Sequence, residues 1–423
     1  MRIVIIVDFL RPNGAGLMAL LQADLLSSAG HEVTFVCGAA SDPIAAAVRR
    51  RGVNVKAFSS SEVPFDHPLN RDASVQLRSA TWSFVQTQLG QERPDVVCIH
   101  NCGRVLDQHR IVELSHVLPV VYTMHDEWFL GDAHYRFLDQ PEVVSTFEPH
   151  RAGQAINHDF SHLAPVEQCS GNLTVLAPSR WLHKRCLFRY PRIRAVHLTN
   201  PVDPSLFSAM ERGEARAMLG VKEDAKIVLA VGNPSQSRKG LRRLAESLAT
   251  LTHELPVLIG VGGNSSFVGH AARDVVRPGM LSNILERSAG PAPKLAGFRP
   301  NSIVVGQASR EMMRLFYGCA DLVVHPSIID NLPTVPIEAG FVGTRCIASD
   351  VGGTAETVAE IDGLFPSHIS AVDLGKRVRS ELDLVAQETP AQRSARRGRQ
   401  TERFCPKTHL SLLESLLQGV CNT

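Results

Sequence analysis

Between residues 321 and 358 the chain reads DLVVHPSIIDNLPTVPIEAGFVGTRCIASDVGGTAETV, and its carboxylates are spaced as ligand contacts are. An apolar run ends at His325-Pro326-Ser327, as a buried strand would. A short loop then holds Asp330 and Asn331, followed by Leu332, Pro333 and Thr334. Proline suits the first turn of a helix, where its missing N–H costs nothing. That helix carries Glu338 about two turns beyond Asp330, and Ala339, Gly340 and Gly343 keep it slim. The strand at 345–349 leads into Gly352-Gly353 and a further helix near Thr354. In open α/β sheets ligands bind at the carboxyl ends of the strands, and helix N-termini there favour phosphate. A carboxylate one or two turns into such a helix can accept hydrogen bonds from ribose hydroxyls. Taken singly, each acid also has a plainer use, Asp330 as a helix cap and Glu338 as a solvent-facing residue. The block as a whole favours the ligand.

Arg238, Lys239 and Gly240 follow a second apolar run, 226–231, and a glycine turn. They suit either an anion site or a solvated helix start. Gly14-Ala15-Gly16 forms a similar turn after the strand 2–7. His125 ends the strand 119–124 beside Asp126 and Glu127; a lone histidine there is structural or functional. His134, His150, His158 and His162 have acidic neighbours but no ligand spacing, so no metal is expected. The stretch 183–194 interleaves Lys184, Arg185 and Arg194 with Leu187, Phe188, Tyr190 and Ile193. It fits a membrane surface, a lipid-linked acceptor or a solvated helix face.

These groups need elements to hold them. Each half of the chain opens on a strand, a glycine turn and a helix: 2–7 with 16–29, and 226–231 with 240–251. Further strands are expected at 32–37, 95–100, 173–177, 195–199, 257–261, 303–306 and 321–325, with a short helix near 280–287. Alternation of strand and helix implies parallel sheets wound by right-handed crossovers. Asn200-Pro201-Val202-Asp203-Pro204 reads as the linker, since two prolines deny helix and central strand alike. The arginine-rich stretch 388–403 reads as a solvated helix or linker, and 408–417 as an amphipathic helix.

A chain of 423 residues predicts two domains. Net charge is only +2, against the strongly basic balance of nucleic-acid binders, so no nucleic-acid partner is expected. Nine scattered cysteines without a Cys-x-x-Cys pair suit reduced thiols in a cytosol. The apolar N-terminus is cut by Asp8 and Arg11, too soon for a signal or a membrane span. The expected location is cytoplasmic, with possible contact at the inner face of the membrane.

The 321–358 block resembles retaining GT-B glycosyltransferases of the large family that includes sucrose synthase, and its Asp-Asn-Leu-Pro wording resembles the colanic-acid branch. The family pattern is Glu, seven residues, Glu, then Gly-Gly-x-x-Glu; here Asp330 replaces the first Glu, followed by Glu338, Gly352-Gly353 and Glu356. Gly14 and Gly16, His31-Glu32-Val33, Thr123-Met124-His125-Asp126, Pro178-Ser179, Asn200-Pro201-Val202-Asp203 and Arg238-Lys239-Gly240 match further motifs. The resemblance implies two Rossmann-like doubly wound domains facing across a cleft: an acceptor domain over 1–202, a donor domain over 203–395, and a final helix within 396–423 crossing back. It implies catalytic roles for His125, Asp330, Arg238 and Lys239. Donor contacts are implied for Gly14, Gly16, Arg238, Lys239, Asn331, Leu332, Pro333, Thr334 and Glu338. No cofactor is implied beyond a nucleotide-diphosphate sugar as co-substrate, UDP-linked by preference. The acceptor is a polysaccharide, a lipid-linked saccharide or a small molecule. A non-catalytic nucleotide-sugar-binding protein is the remaining alternative.

Overall fold

A computed structural model describes residues 1–10, 14–59, 71–100, 102–103, 105–130, 172–252, 255–263, 266–287, 301–358 and 363–422. The chain folds into two units. The first takes the described residues of 1–130, 172–201 and 406–422, and the second those of 202–405.

The first unit contains β1 (Arg2–Leu10), α1 (Gly14–Ser28), β2 (Glu32–Ala40), α2 (Asp42–Arg49), β3 (Asn54–Ser59), α3 (Arg71–Glu92), β4 (Val96–Ile99), α4 (Gln108–Ser115), β5 (Val120–Thr123), β6 (Leu173–Ala177), α5 (Arg180–Arg189) and β7 (Arg194–His197). Its sheet is parallel throughout, in the order β3-β2-β1-β4-β5-β6-β7. Ile3 to Val7 are buried without alternation, because helices cover both faces of the sheet. Alternate residues of β1 therefore feed two cores: Val4 and Ile6 join one with α3 and α4, and Ile3, Ile5 and Val7 join the other with α1. Ser179 and Asp107 cap α5 and α4 through their side chains. Helix α1 starts at Gly14, within the glycine turn, two residues before the expected start.

The second unit contains α6 (Arg212–Leu219), β8 (Ile227–Val231), a 3-10 turn (Ser237–Lys239), α7 (Leu241–Leu248), β9 (Val257–Val261), β10 (Phe267–Val268), α8 (Met280–Arg287), β11 (Ser302–Val305), α9 (Arg310–Cys319), β12 (Leu322–His325), α10 (Thr334–Val342), β13 (Arg345–Asp350), β14 (Leu364–Pro366), α11 (Ala371–Ala386) and α12 (Pro390–Arg403). Sheet order is β10-β11-β9-β8-β12-β13-β14, parallel except for β10 on β11. Both sheets reverse their order of growth once, at β1/β4 and at β8/β12.

Helix α12 corrects the reading of 388–403. Thr389 and Gln392 form a reciprocal capping box at its start. Arg396 and Gln400 are buried rather than solvated. Arg396 donates to the Gly343 carbonyl at 2.9 Å and pairs with Glu388. The second unit therefore runs past 395, through Cys405. Gly340 faces Gln400, and a Cβ there would lie 2.5 Å from Gln400 Cγ. The slimness of α10 makes room for α12.

The last helix, α13 (Pro406–Cys421), packs on the first unit. Leu413, Leu417 and Val420 enter the core shared with β1 and α1. His31 Nε2 meets Glu414 Oε1 at 2.8 Å, and the His409 ring donates from Nδ1 to the Thr199 carbonyl at 2.9 Å. Among the described residues no helix is long and apolar enough to cross a membrane, and no disulfide joins the described cysteines.

Gly340→Ala should overpack this junction and cost about 1–3 kcal/mol in urea denaturation. Adding Gln400→Ala should recover part of that loss. Strictly additive losses would show that the contact is not its source.

Candidate functional site

The order of the second sheet reverses between β8 and β12, and the carboxyl ends of the strands at such a reversal are the usual ligand position. The loops that leave these strands are joined backbone to backbone. Ile328 N donates to the Arg238 carbonyl at 2.7 Å. Gly240 adopts φ +69°, and a Cβ there would lie 2.1 Å from the Pro326 carbonyl oxygen. Only glycine allows both the left-handed turn and this approach.

This junction brings Lys239 to Asp330. Lys239 Nζ donates to Asp330 Oδ2 at 2.7 Å, and His325 Nε2 donates to the same oxygen at 3.2 Å. All three side chains are largely withdrawn from water. Burial opposes the charged form of Asp330. The Lys239 ammonium and the His325 hydrogen bond outweigh it and hold the carboxyl well below the usual carboxylate range. Burial lowers the His325 pKa, against the pull of Asp330, so a neutral ring donates through Nε2. The Asp330 carbonyl also accepts from Gly353 N at 3.2 Å, which ties in the Gly352-Gly353 loop. Arg238 reaches Gln236 Oε1 at 3.4 Å.

Two plainer readings fall away here. Asp330 does not cap α10: Pro333 stands at the cap position, one place before the helix, with no side-chain cap bond. Glu338 is not simply in solvent: Tyr317 donates its hydroxyl to Glu338 Oε2 at 2.6 Å. Burial raises the Glu338 pKa, opposed by the hydrogen bonds from Tyr317 and Thr334. Asn331, Leu332 and Pro333 are buried, and Thr334 begins α10. His325 and Tyr317 escaped the sequence reading, although His325 stands in the quoted block and Tyr317 in helix α9 just before it.

His125, Gly14 and Gly16 belong to the first unit. Gly14 and Gly16 open α1, Gly14 with φ +45° and open space where a Cβ would stand. Asn13, like His134, His150, His158 and His162, lies outside the described residues. His125 does not stand alone, as the sequence reading had it. His100, which follows β4, meets it at 2.8 Å from Nδ1 to Nε2. The two rings stack with centroids 5.1 Å apart. Burial lowers the His125 pKa to about 4. Among the described residues no group of three or more metal-ligating side chains gathers. Of the basic stretch, α5 leaves Phe188 88% exposed and Leu187 37% exposed, while Arg185 pairs with the buried Glu127.

The Lys239–Asp330 pair makes stability depend on pH with a defined sign. Because the folded carboxyl titrates below its unfolded value of about 3.9, its contribution is whole above that value and drains as pH falls below it. The gap in unfolding free energy between wild type and Asp330→Asn should therefore hold from pH 7 to 5. It should narrow below about pH 4, by up to about 1.4 kcal/mol per pH unit. A gap that does not change with pH would remove the charge from the account.

Comparison with known proteins bears on the family and the fold. The family model described as glycosyl transferases group 1 matches residues 211–397, and the model described as glycosyltransferase family 4 matches 12–206. The D-inositol 3-phosphate glycosyltransferase of Mycobacterium ulcerans is 31% identical over 338 residues, 77% of this chain and 68% of that protein. Against several other curated relatives the chain spans about half their length or less, 41% for the Mycolicibacterium smegmatis protein of the same name, while it spans 75% of two others from Mycobacterium strains. Among solved structures, sucrose-phosphate synthase from Thermosynechococcus elongatus superposes with a TM-score of 0.69 at 18% identity, covering 99% of this chain and 98% of that one. Anabaena HepE in complex with UDP and glucose superposes at 0.67 and 18% identity, covering 99% and 100%. Two parallel-sheet units, each matched by a glycosyltransferase model, together with the Mycobacterium ulcerans relative, establish that the chain belongs to the glycosyl transferases group 1 family and has its GT-B fold.

Proposed function

We propose that the protein transfers a hexose or N-acetylhexosamine from a UDP-linked donor, with retention at the anomeric carbon, to a polysaccharide or lipid-linked saccharide. The observation that carries the reading is the Lys239–Asp330–His325 cluster at the order reversal of the second sheet. A UDP complex of a structure with the same fold supports the choice of donor.

As the bond from the anomeric carbon to the diphosphate breaks, its electron pair passes to the phosphate oxygen. Lys239 and Arg238 stabilise that growing charge more than the charge of the intact donor. Asp330, held as a carboxylate, stabilises the oxocarbenium-like sugar or holds its hydroxyls. The acceptor oxygen attacks from the face the phosphate leaves, and its proton passes to a phosphate oxygen. Glu338 takes the ribose hydroxyls. Asn331, Leu332, Pro333 and Thr334 line the donor loop, where the N-terminus of α10 favours the diphosphate. Gly14 and Gly16 lie against the donor phosphates, and His125 meets a hydroxyl of the transferred sugar. No metal or cofactor takes part in this scheme.

A second reading has its own support. The name of the Mycobacterium ulcerans relative points to a small inositol phosphate as acceptor, which favours a small-molecule substrate here. The exposed Phe188 and Leu187 beside Lys184 and Arg189 favour a surface-borne acceptor instead. Sedimentation with anionic phosphatidylglycerol vesicles separates the two. On the main reading the protein sediments with them, Phe188→Ser releases it, and neutral phosphatidylcholine vesicles leave it in the supernatant. Failure to sediment with either would shift the acceptor to the small-molecule class.

The donor site has a separate test. UDP at about 100 times its dissociation constant should stabilise the protein by roughly 2.7 kcal/mol in thermal unfolding, and chelation by EDTA should not reduce this. Glu338→Ala should weaken UDP binding in calorimetry. Lys239→Ala should lower kcat by about 10²–10³-fold, as loss of one charge-stabilising donor does. Unchanged UDP affinity in the first variant, or wild-type turnover in the second, removes that residue from its role.

A further inference from the structure

His125 was the only residue of its strand end with a proposed task, yet its ring is held by groups that no motif supplied. His100 is 2% exposed at the end of β4, next to β5 in the sheet. Its backbone is fixed by a bond from His100 N to the Ile6 carbonyl at 2.9 Å. Its Nε2 meets the carboxamide oxygen of Gln22, a buried residue of α1, and its Nδ1 meets His125 Nε2. Burial, and then the neighbouring His125 and His409, push the His100 pKa well below its ordinary value, and His125 is likewise depressed. Both rings are therefore neutral near pH 7, and each carries one N–H.

That leaves one consistent assignment. The Gln22 oxygen has no proton, so His100 donates to it through Nε2. His100 Nδ1 is then a bare nitrogen and must accept from His125 Nε2–H. His125 Nδ1 is left without a proton. Which nitrogen of a histidine is protonated is set in this way by the bond its other nitrogen makes.

We propose that His100, oriented by Gln22, is a positioning residue that holds His125 as the Nε2–H tautomer. The effect on turnover rests on the sugar contact proposed above for His125; the tautomer does not. Glycine turn and relay share one helix: α1 begins at Gly14 and carries Gln22 two turns later.

The test uses the full chain labelled with 15N-histidine. A long-range proton–nitrogen correlation spectrum at neutral pH separates protonated from bare ring nitrogens, and the signals lost in His125→Asn identify that ring. The expected wild-type pattern is a protonated Nε2 and a bare Nδ1. In His100→Phe, which keeps an aromatic ring but no acceptor, His125 should become a mixture of both tautomers. His100→Asn, which restores an oxygen near the Nδ1 position, should recover the wild-type pattern in part. Gln22→Leu should give the same mixture by a substitution remote from His125, and it serves if His100→Phe does not fold. A protonated Nδ1 in wild type, or an unchanged pattern in both His100→Phe and Gln22→Leu, overturns the proposal. In donor turnover, His100→Phe should lower kcat about tenfold, the weight of about one hydrogen bond, and leave KM for the UDP-sugar within about twofold. An altered tautomer with unaltered kcat would uphold the relay and overturn the sugar contact of His125.

Discussion

A carboxylate removed from water must be compensated on the spot, and Asp330 imposes that requirement on everything around it. An uncompensated charge in its place would neutralise or unfold its surroundings. Compensation comes from Lys239 and His325 on one oxygen, and both depend on the loops after β8 and β12 meeting within backbone contact. That contact exists only because Gly240 has no Cβ to place against Pro326. Lys239, its neighbour Gly240 and Asp330, 91 residues from the lysine, are thus one device. The backbone sets the approach, and the ion pair uses it.

The sheet explains why the device is where it is. Right-handed crossovers carry β8, β9 and β11 one way and β12, β13 and β14 the other, so the loops of β8 and β12 stand side by side where the order reverses. Helix α10 then leaves the same loop with its N-terminus at Thr334 and Glu338 one turn in. It is braced from behind by α12, whose Arg396 takes the Gly343 carbonyl at the end of α10. An arginine-rich helix that looks solvated in sequence is in this way part of the support for the donor loop.

Local chemistry was legible and distant chemistry was not. Strands of continuous apolar residues stood out, and 173–177 is found at its expected bounds, because a parallel strand covered on both faces has no other composition. Family motifs implied one site for Lys239 and Asp330, but not the ion pair between them. Tyr317 is 21 residues from Glu338, and Gln22 is 78 from His100. No periodicity joins such pairs, since only the winding of the chain brings the elements that carry them together. Arg396 failed for a different reason: a buried arginine and a solvated one have the same local sequence, and what distinguishes them is an unpaired carbonyl on another helix. Gly340 carried a signal, read as slimness, but the partner that needs the space was not in view.

The resting pair also bears on how the proposed reaction would run. Lys239 and Asp330 neutralise each other before any donor arrives, so neither of these two charges is withdrawn from water unpaired. A diphosphate would draw the ammonium toward itself, and the carboxylate would lose its main partner as positive charge appears on the sugar. His325, neutral and donating to the same oxygen, would keep Asp330 aimed through that exchange. Each charge of the pair would then have a new partner in the transition state that it lacks in the resting enzyme, and interactions that strengthen on the way to the transition state are the ones that accelerate a reaction. A lysine and an aspartate held apart in the resting site would each be desolvated without compensation. Held together, they are stable in the empty site and still available to the donor, which is why the glycine that brings them together matters to chemistry as much as to folding.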